Sequence, residues 1–319
     1  MMFVHLLRSL YTNLARIAYR LSPGPIARRL AVRRPPFINS FPVSLPGGNK
    51  LLVHGLDQAN VNRELFWQDF DGSNPEFTRV LYALSEDAQT IVDLGSYLGY
   101  YSLVAAKANP QARVFSVEPF PASIDYQRQA ARINGLDNVT FCDVAVAESN
   151  ASLPFFMPDR SQSKIPNIGS LKNRFGEGTH YADRGGYEIE VDALTLPDLV
   201  ERYDIGKIDL IKFYVEEMEG AIFAAGRAVL EVARPDMLGW VFHREENLAH
   251  LAYLIDDLGY TCLVFKGQAL VECPTIEAVR ELSDVENLQR GGRSAVLFTT
   301  APEQRMKTLT ARIGNTIHG

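Results

Sequence analysis

From residue 90 onward, short β-branched runs alternate with stretches of helical periodicity, and this beat constrains the fold more than any other feature of the chain. Thr90–Leu94 reads as a strand, Gly99–Ala108 as a helix, Arg113–Val117 as a strand, Ser123–Asn134 as a helix and Val139–Val146 as a strand. The beat resumes with strand Ile208–Phe213, helix Glu219–Leu230, strand Met237–Phe242, helix Leu248–Leu258 and strand Tyr260–Phe265. A helical stretch near Thr275–Leu288 precedes the last strand, Ser294–Thr299. Strands alternating with helices at this spacing specify βαβ units, and so an α/β fold with a parallel sheet, here of seven strands, and helices on both faces. Ahead of it, residues 41–56 read as a small hairpin around Pro46-Gly47-Gly48, and Glu76–Leu84 as a short helix. The expected organisation is a basic helical extension (1–36), a hairpin and helix leading into the core (37–89), the α/β domain (90–300) and a tail (301–319). Residues 154–187, rich in Pro, Gly, Ser and Asn, read as a long loop after the third strand. Its position on the ligand-binding side of such sheets suits a substrate-covering lid, and a merely tolerated insertion reads the same way.

The run Ile91-Val92-Asp93-Leu94-Gly95-Ser96-Tyr97-Leu98-Gly99-Tyr100 is a strand entering a glycine turn that opens a helix. Gly95 lets the backbone turn sharply against a ligand, and the helix start at Gly99 offers free N–H groups. The second strand ends in Val117-Glu118-Pro119, and an acid at that tip, some twenty residues past the glycines, suits the two hydroxyls of a ribose. Together they indicate a nucleoside-bearing cofactor. Dinucleotide enzymes use G-x-G-x-x-G to admit a pyrophosphate, whereas this turn is D-x-G-x-x-x-G. An acid at Asp93 would repel a phosphate but suit the cationic amine and sulfonium of S-adenosylmethionine. The third strand ends in Cys142-Asp143-Val144, where Asp143 either accepts from an adenine amine or caps the strand.

Net charge divides unevenly along the chain. Residues 1–56 hold eight Lys/Arg and no acid, and residues 57–319 hold 24 Lys/Arg against 38 Asp/Glu, giving −6 overall. The acidic body is not expected to bind nucleic acid. In the front segment Phe3, Leu7, Leu10, Leu14, Ile17 and Leu21 fall on one helical stripe with Arg8, Arg16 and Arg20 opposite. Residues 3–21 are expected to meet an anionic membrane surface, the protein's own body or a second copy. No window reaches the ~20 apolar residues of a membrane span, and no signal peptide is read. Cys142, Cys262 and Cys273 lack metal-ligand spacing. Cys262 and Cys273 would face each other if Gly267-Gln268 made a hairpin turn, with buried free thiols as the reading preferred. A reducing, cytoplasmic location follows, or one peripheral to the inner membrane face.

These residues resemble the FkbM-type S-adenosylmethionine-dependent methyltransferases, from about Ile91 to Phe298. The likeness rests on Val92-Asp93-Leu94-Gly95, Leu98-Gly99-Tyr100-Tyr101-Ser102, Val117-Glu118-Pro119, Ile208-Asp209-Leu210-Ile211-Lys212, Val215-Glu216, Arg234-Pro235, His243 and Val296-Leu297-Phe298. The resemblance implies an α/β, Rossmann-like, mostly parallel seven-stranded sheet with an antiparallel last strand, and methylation of hydroxyls on sugars, glycans or secondary metabolites. Implied cofactor residues are Asp93, Gly95, Ser96, Tyr97, Leu98, Gly99, Glu118, Pro119, Asp143 and Val144. The chain departs from the family pattern at three places. Family Lys-Ile-Asp-Val-Glu-Gly is here Lys212-Phe213-Tyr214-Val215-Glu216-Glu217, family Glu-x-His is Val241-Phe242-His243, and the usual Asn of the glycine turn is Tyr97. Lys212, Tyr214, Glu216 and His243 are the catalytic candidates, all expected at the cleft, with His243 the base on intrinsic pKa and Glu216 its orienting partner. Lys212 would hold an alkoxide or an acidic substrate, and a tyrosine such as Tyr214 is a poor base near pH 7. The alternative is a scaffold that binds the cofactor but has lost catalysis through Tyr214 and Val241.

Overall fold

The computed structural model describes residues 16, 17, 19, 40–55, 60–159, 165–166, 169–176, 182–282 and 292–314. Most of the amphipathic run 3–21 therefore lies outside the described residues. So do residues 160–164, 167–168 and 177–181 of the long loop, and residues 283–288 of the helical stretch near Thr275–Leu288.

Strands β1 (Ser40–Ser44) and β2 (Lys50–His54) form the expected hairpin, turning through Gly47 and Gly48 at positive φ. Helices α1 (Asn60–Gln68) and α2 (Pro75–Ser85) lead into β3 (Thr90–Leu94), α3 (Tyr100–Ala108), β4 (Arg113–Val117), α4 (Pro121–Asn134) and β5 (Val139–Cys142). The single strand expected over Val139–Val146 breaks at Asp143-Val144. Its second part, β6 (Ala145–Val146), joins a separate sheet with β7 (Ala151–Pro158) and β8 (Gly186–Leu194), in the order β6-β8-β7. The ends of the expected loop are thus strands, paired antiparallel over Ala151–Pro158 and Gly186–Ala193. Then follow α5 (Leu196–Arg202), β9 (Leu210–Phe213), α6 (Glu219–Ala225), α7 (Arg227–Ala233), β10 (Asp236–Phe242), α8 (Glu245–Asp256), β11 (Thr261–Lys266), β12 (Ala269–Cys273), α9 (Val279–Leu282), β13 (Arg293–Thr299) and α10 (Pro302–Ile313).

The main sheet has eight strands in the order β12-β11-β13-β10-β9-β3-β4-β5, one more than the sequence suggests. The extra edge strand β12 is the return arm of a hairpin through Gly267 (φ 61), which sets Cys262 opposite Cys273. All three cysteines are buried and free. β13 runs antiparallel to both β10 and β11, as the resemblance implies. Successive side chains of a strand point to opposite faces, so Ile91, Val114, Leu210 and Leu238 pack under α2, α3, α4 and α10, while Val92, Phe115, Ile211 and Met237 pack under α5, α6 and α8. The tail is the helix α10, anchored by Arg305 on Asp236 (2.5 Å) and Arg312 on Asp87 (2.7 Å).

Three residues of the front segment are described. The Arg16 guanidinium donates to the Pro42 carbonyl at 2.7 Å and lies 5.2 and 5.0 Å from the Phe41 and Phe66 ring centres. Tyr19 meets Trp67 edge to face at 5.6 Å. Ile17, on the apolar stripe, is 54% exposed. At this point the arginine side, not the stripe, docks on the body. No described helix is long and apolar enough to cross a membrane.

Candidate functional site

The chain builds β3, β4 and β5 outward and then returns to lay β9 on the other side of β3, so the loops leaving β3 and β9 part above the sheet. Open α/β sheets bind ligands in that crevice, at the carboxyl ends of the strands. A cleft of about 280 Å³ lies there.

Its first half is made by the glycine turn. Gly95 adopts φ 71, and a Cβ on it would stand 2.1 Å from the Tyr214 carbonyl oxygen, so the turn after β3 presses directly on the loop after β9. Gly99 (φ 74) caps α3, where a Cβ would strike the Gln127 side chain at 2.8 Å. Gln127 fixes the turn from below. Its amide donates to Ser96 Oγ (2.9 Å) and the Tyr97 carbonyl (2.8 Å), and its Oε1 accepts from Ser116 (2.7 Å). Ser102 Oγ lies 2.7 Å from Ser116 Oγ and donates to Asp93 (2.6 Å).

Glu118 lines the cleft at the tip of β4. Its two oxygens accept from the Tyr97 N–H (2.9 Å) and the Phe120 N–H (3.1 Å). Burial pushes its carboxyl up to about 7, partly offset by those two bonds. Each oxygen retains a lone pair for a hydroxyl donor.

Of the ten cofactor candidates, Gly95, Ser96, Tyr97, Leu98, Glu118, Pro119 and Val144 line the cleft. The other three need correction. Asp93 does not line it: the side chain is 1% exposed and bonds Lys212 Nζ at 2.7 Å, so its charge answers a lysine and not a cationic ligand. Gly99 sits behind the turn. Asp143 is exposed and outside the lining, 3.5 Å from the Tyr203 hydroxyl.

The second half gathers the ends of β9, β10 and β13. Lys212, Tyr214 and Glu216 line the cleft as expected, joined by Trp240 and Arg293. Lys212 is held by Asp93 and by the Gly95 carbonyl (3.1 Å). Tyr214 packs beside Trp240 (4.9 Å), and the Arg293 guanidinium lies 5.0 Å from the Tyr214 ring centre. Glu216 is ion-paired with Arg174, and burial raises its carboxyl above the ordinary range, partly offset by Arg174 and Arg293.

His243 is the main correction. It does not line the cleft. Its Nε2 bonds Ser294 Oγ at 2.8 Å, and burial, helped by Arg280, lowers its pKa to about 4. Val241 likewise packs in the apolar layer under α5 and α8. The acid missing there is therefore not missing from the cleft, and of the two lost family acids only the one at Tyr214 bears on it.

Sequence reasoning missed Arg174, Trp240 and Arg293. The long loop does reach the cleft, as the lid alternative expected, and Pro166, Gly169, Ser170 and Leu171 line it as its roof. That segment is tied to the glycine turn by Tyr97 Oη on the Ile165 carbonyl (2.6 Å), to β7 by the paired bonds between Phe156 and Ser170, and to the β9 loop by Arg174 on Glu216. Tyr97 (φ 52) and Glu217 (φ 76) stand in left-handed backbone where the family carries Asn and Gly, residues that tolerate it.

A sequence model of the FkbM methyltransferase domain matches residues 93–262, more than half of the chain. A methyltransferase of Sordaria araneosa, sdnD, is 26% identical over 147 residues, 40% of this chain and 57% of that protein. An uncharacterised RNA methyltransferase of Lactiplantibacillus plantarum is 40% identical over 80 residues, 23% of this chain and 17% of that protein. Among solved structures, an FkbM methyltransferase of Methylobacillus flagellatus is 14% identical with a TM-score of 0.42, over 66% of this chain and 44% of that one. The chain thus spans 57% or less of the curated relatives it matches.

Proposed function

We propose, from the premise that the chain belongs to the FkbM methyltransferase family, that it transfers a methyl group from S-adenosylmethionine to a hydroxyl on a sugar, glycan or secondary metabolite. The observation that carries the reading is Glu118: a buried carboxylate, fixed by two backbone N–H groups, that faces a cleft opened by Gly95. The ribose hydroxyls would meet Glu118, and Val144 and Pro119 would flank the base. Bound there, the donor supplies an electrophilic methyl on a sulfonium. Tyr101, Tyr214 and Trp240 place three aromatic rings along the cleft, surroundings that exclude water and favour a cation.

Transfer to oxygen needs the acceptor placed behind the methyl carbon and its proton removed. Placement supplies much of the rate, and a proton acceptor adds about 10²–10⁴-fold. Glu118 and Glu216 are the carboxylates that line the cleft among the described residues, and Glu216 lies at the second half. In this reading Glu216 takes the proton, assuming the role first assigned to His243. Its raised pKa makes it a stronger base than an exposed glutamate. Arg174 steadies the charge, and Lys212 and Asp93 hold the two strand ends together. The described residues 165–166 and 169–176 act as the lid.

Calorimetric titration with S-adenosylhomocysteine tests the reading. Saturable binding is expected for the wild type, and binding at least about tenfold weaker for Glu118→Ala. A folded wild type that takes up no S-adenosylhomocysteine would sink it. A second reading, a binding protein without turnover, draws support from Tyr214 in place of the family acid. Under that reading Tyr214→Asp creates methyl transfer from none.

A further inference from the structure

We propose that Arg293 makes the second half of the cleft an oxyanion subsite, so that the methyl acceptor carries a carboxylate or a phosphate beside the hydroxyl that is methylated. This rests on the methyltransferase reading and names the substrate class of the same site. Arg293 is the first residue of β13, set opposite Phe242 in the sheet, and its side chain lines the cleft. The guanidinium lies 5.0 Å from the Tyr214 ring centre and 5.6 Å from that of Phe242. An arginine supported on aromatic rings keeps its N–H groups available for a planar or tetrahedral oxyanion.

The charges nearby are otherwise matched. Glu216 is paired with Arg174, Glu217 lies 3.9 Å from Arg174 and 3.3 Å from Arg244, and Asp93 holds Lys212. Glu216 is close enough for Arg293 to lower its pKa, yet among the described residues Arg293 is in no ion pair. A half-buried guanidinium in that position is a surplus cation facing a cleft, and a charge-assisted contact with an incoming anion is what it lacks. The position also explains the departure at Tyr214. An acid there would answer Arg293 directly, whereas a neutral ring supports the guanidinium and leaves its charge to a ligand.

The donor's own methionine carboxylate is the competing source of such an oxyanion, and the test separates the two. Full-length protein is first titrated with S-adenosylhomocysteine; failure at this step strikes the methyltransferase reading itself. The loaded protein is then titrated at low ionic strength with inorganic phosphate, and in parallel with glucose 6-phosphate, glucuronate and uncharged glucose. Saturable phosphate binding is expected, with at least one charged sugar binding about tenfold or more tighter than glucose. Arg293→Met should weaken phosphate at least about tenfold while changing S-adenosylhomocysteine affinity less than about threefold, and Arg293→Lys should keep part of the phosphate binding. Three results overturn the proposal: no saturable phosphate binding, phosphate binding unchanged in Arg293→Met, or an equal loss of S-adenosylhomocysteine in that variant. Retained S-adenosylhomocysteine binding shows that the variant is folded.

Discussion

At the Glu118 end the cleft is mostly backbone: a turn through Gly95, two N–H groups on one carboxylate, and a buried chain of hydroxyls and one amide that holds the turn in shape. At the Arg293 end it is side chains brought from four separated places, namely Arg174 of the long loop, Tyr214 and Glu216 after β9, Trp240 of β10 and Arg293 of β13. The first kind of site is dictated by a contiguous stretch, because a glycine turn and a strand tip have fixed spacing in sequence. The second depends on how sheet order and a lid bring distant segments together. Departures from the family pattern fall at both ends, at Tyr97 in the glycine turn and at Tyr214 and Glu217 after β9.

The contrast can be broken most sharply at Glu216. Glu216→Gln should lower methyl transfer, read as S-adenosylhomocysteine release with a panel of hydroxylated acceptors, by about 10²–10⁴-fold, with S-adenosylhomocysteine affinity changed less than about threefold. Comparable loss of cofactor affinity would show that the two ends are not separate. The next effect is a pH dependence at the other end. If ribose hydroxyls meet Glu118 as proposed, they would donate to its ionised form, and because burial pushes that carboxyl up to about 7, S-adenosylhomocysteine affinity should fall about tenfold from pH 8 to pH 6. A profile as flat as that of Glu118→Gln would count against the role of Glu118.

Tyr97→Phe removes only the hydroxyl that ties the roof at the Ile165 carbonyl. About threefold faster S-adenosylhomocysteine dissociation is expected in stopped-flow displacement, and an unchanged rate would show that the tie does not gate the cleft. The smallest effect belongs to His243→Gln, whose turnover should stay within about twofold of wild type. A hundredfold loss would restore His243 as the base.

Glu118 and His243 also pull stability in opposite directions. Glu118, raised in the folded state, contributes stability that is present at low pH and lost as pH rises through about 7. His243, held neutral, contributes stability present above its ordinary value of 6.5 and lost as pH falls toward about 4. Denaturation midpoints across that range should show the acid limb flatten in His243→Gln.

The sheet was legible in the sequence because β-branched runs and helical periods alternate with little interruption. What it hid has local causes. α1 is rich in Asn, Arg, Glu and Gln and shows only a narrow apolar stripe, and β7 carries Pro154 and Pro158, which argue against a strand. The break at Asp143-Val144 is invisible because both arms continue in β-compatible residues. Asp93 misled for a different reason: its place in the turn suits a cationic ligand, and only the sheet register that sets it beside Lys212 shows the charge already answered. Arg293 carried no signal, since an arginine opening a strand is ordinary until Tyr214 and Phe242 are seen beneath it.

The roof segment is tied at both ends of the cleft, to the donor turn through Tyr97 and to the β9 loop through Arg174. Under the proposed function, entry of one ligand and escape of the other would then share a single opening event. If the chain transfers a methyl group as proposed, the demethylated donor and the methylated product would leave at a common rate set by that opening, and improving the chemistry alone would not speed the cycle.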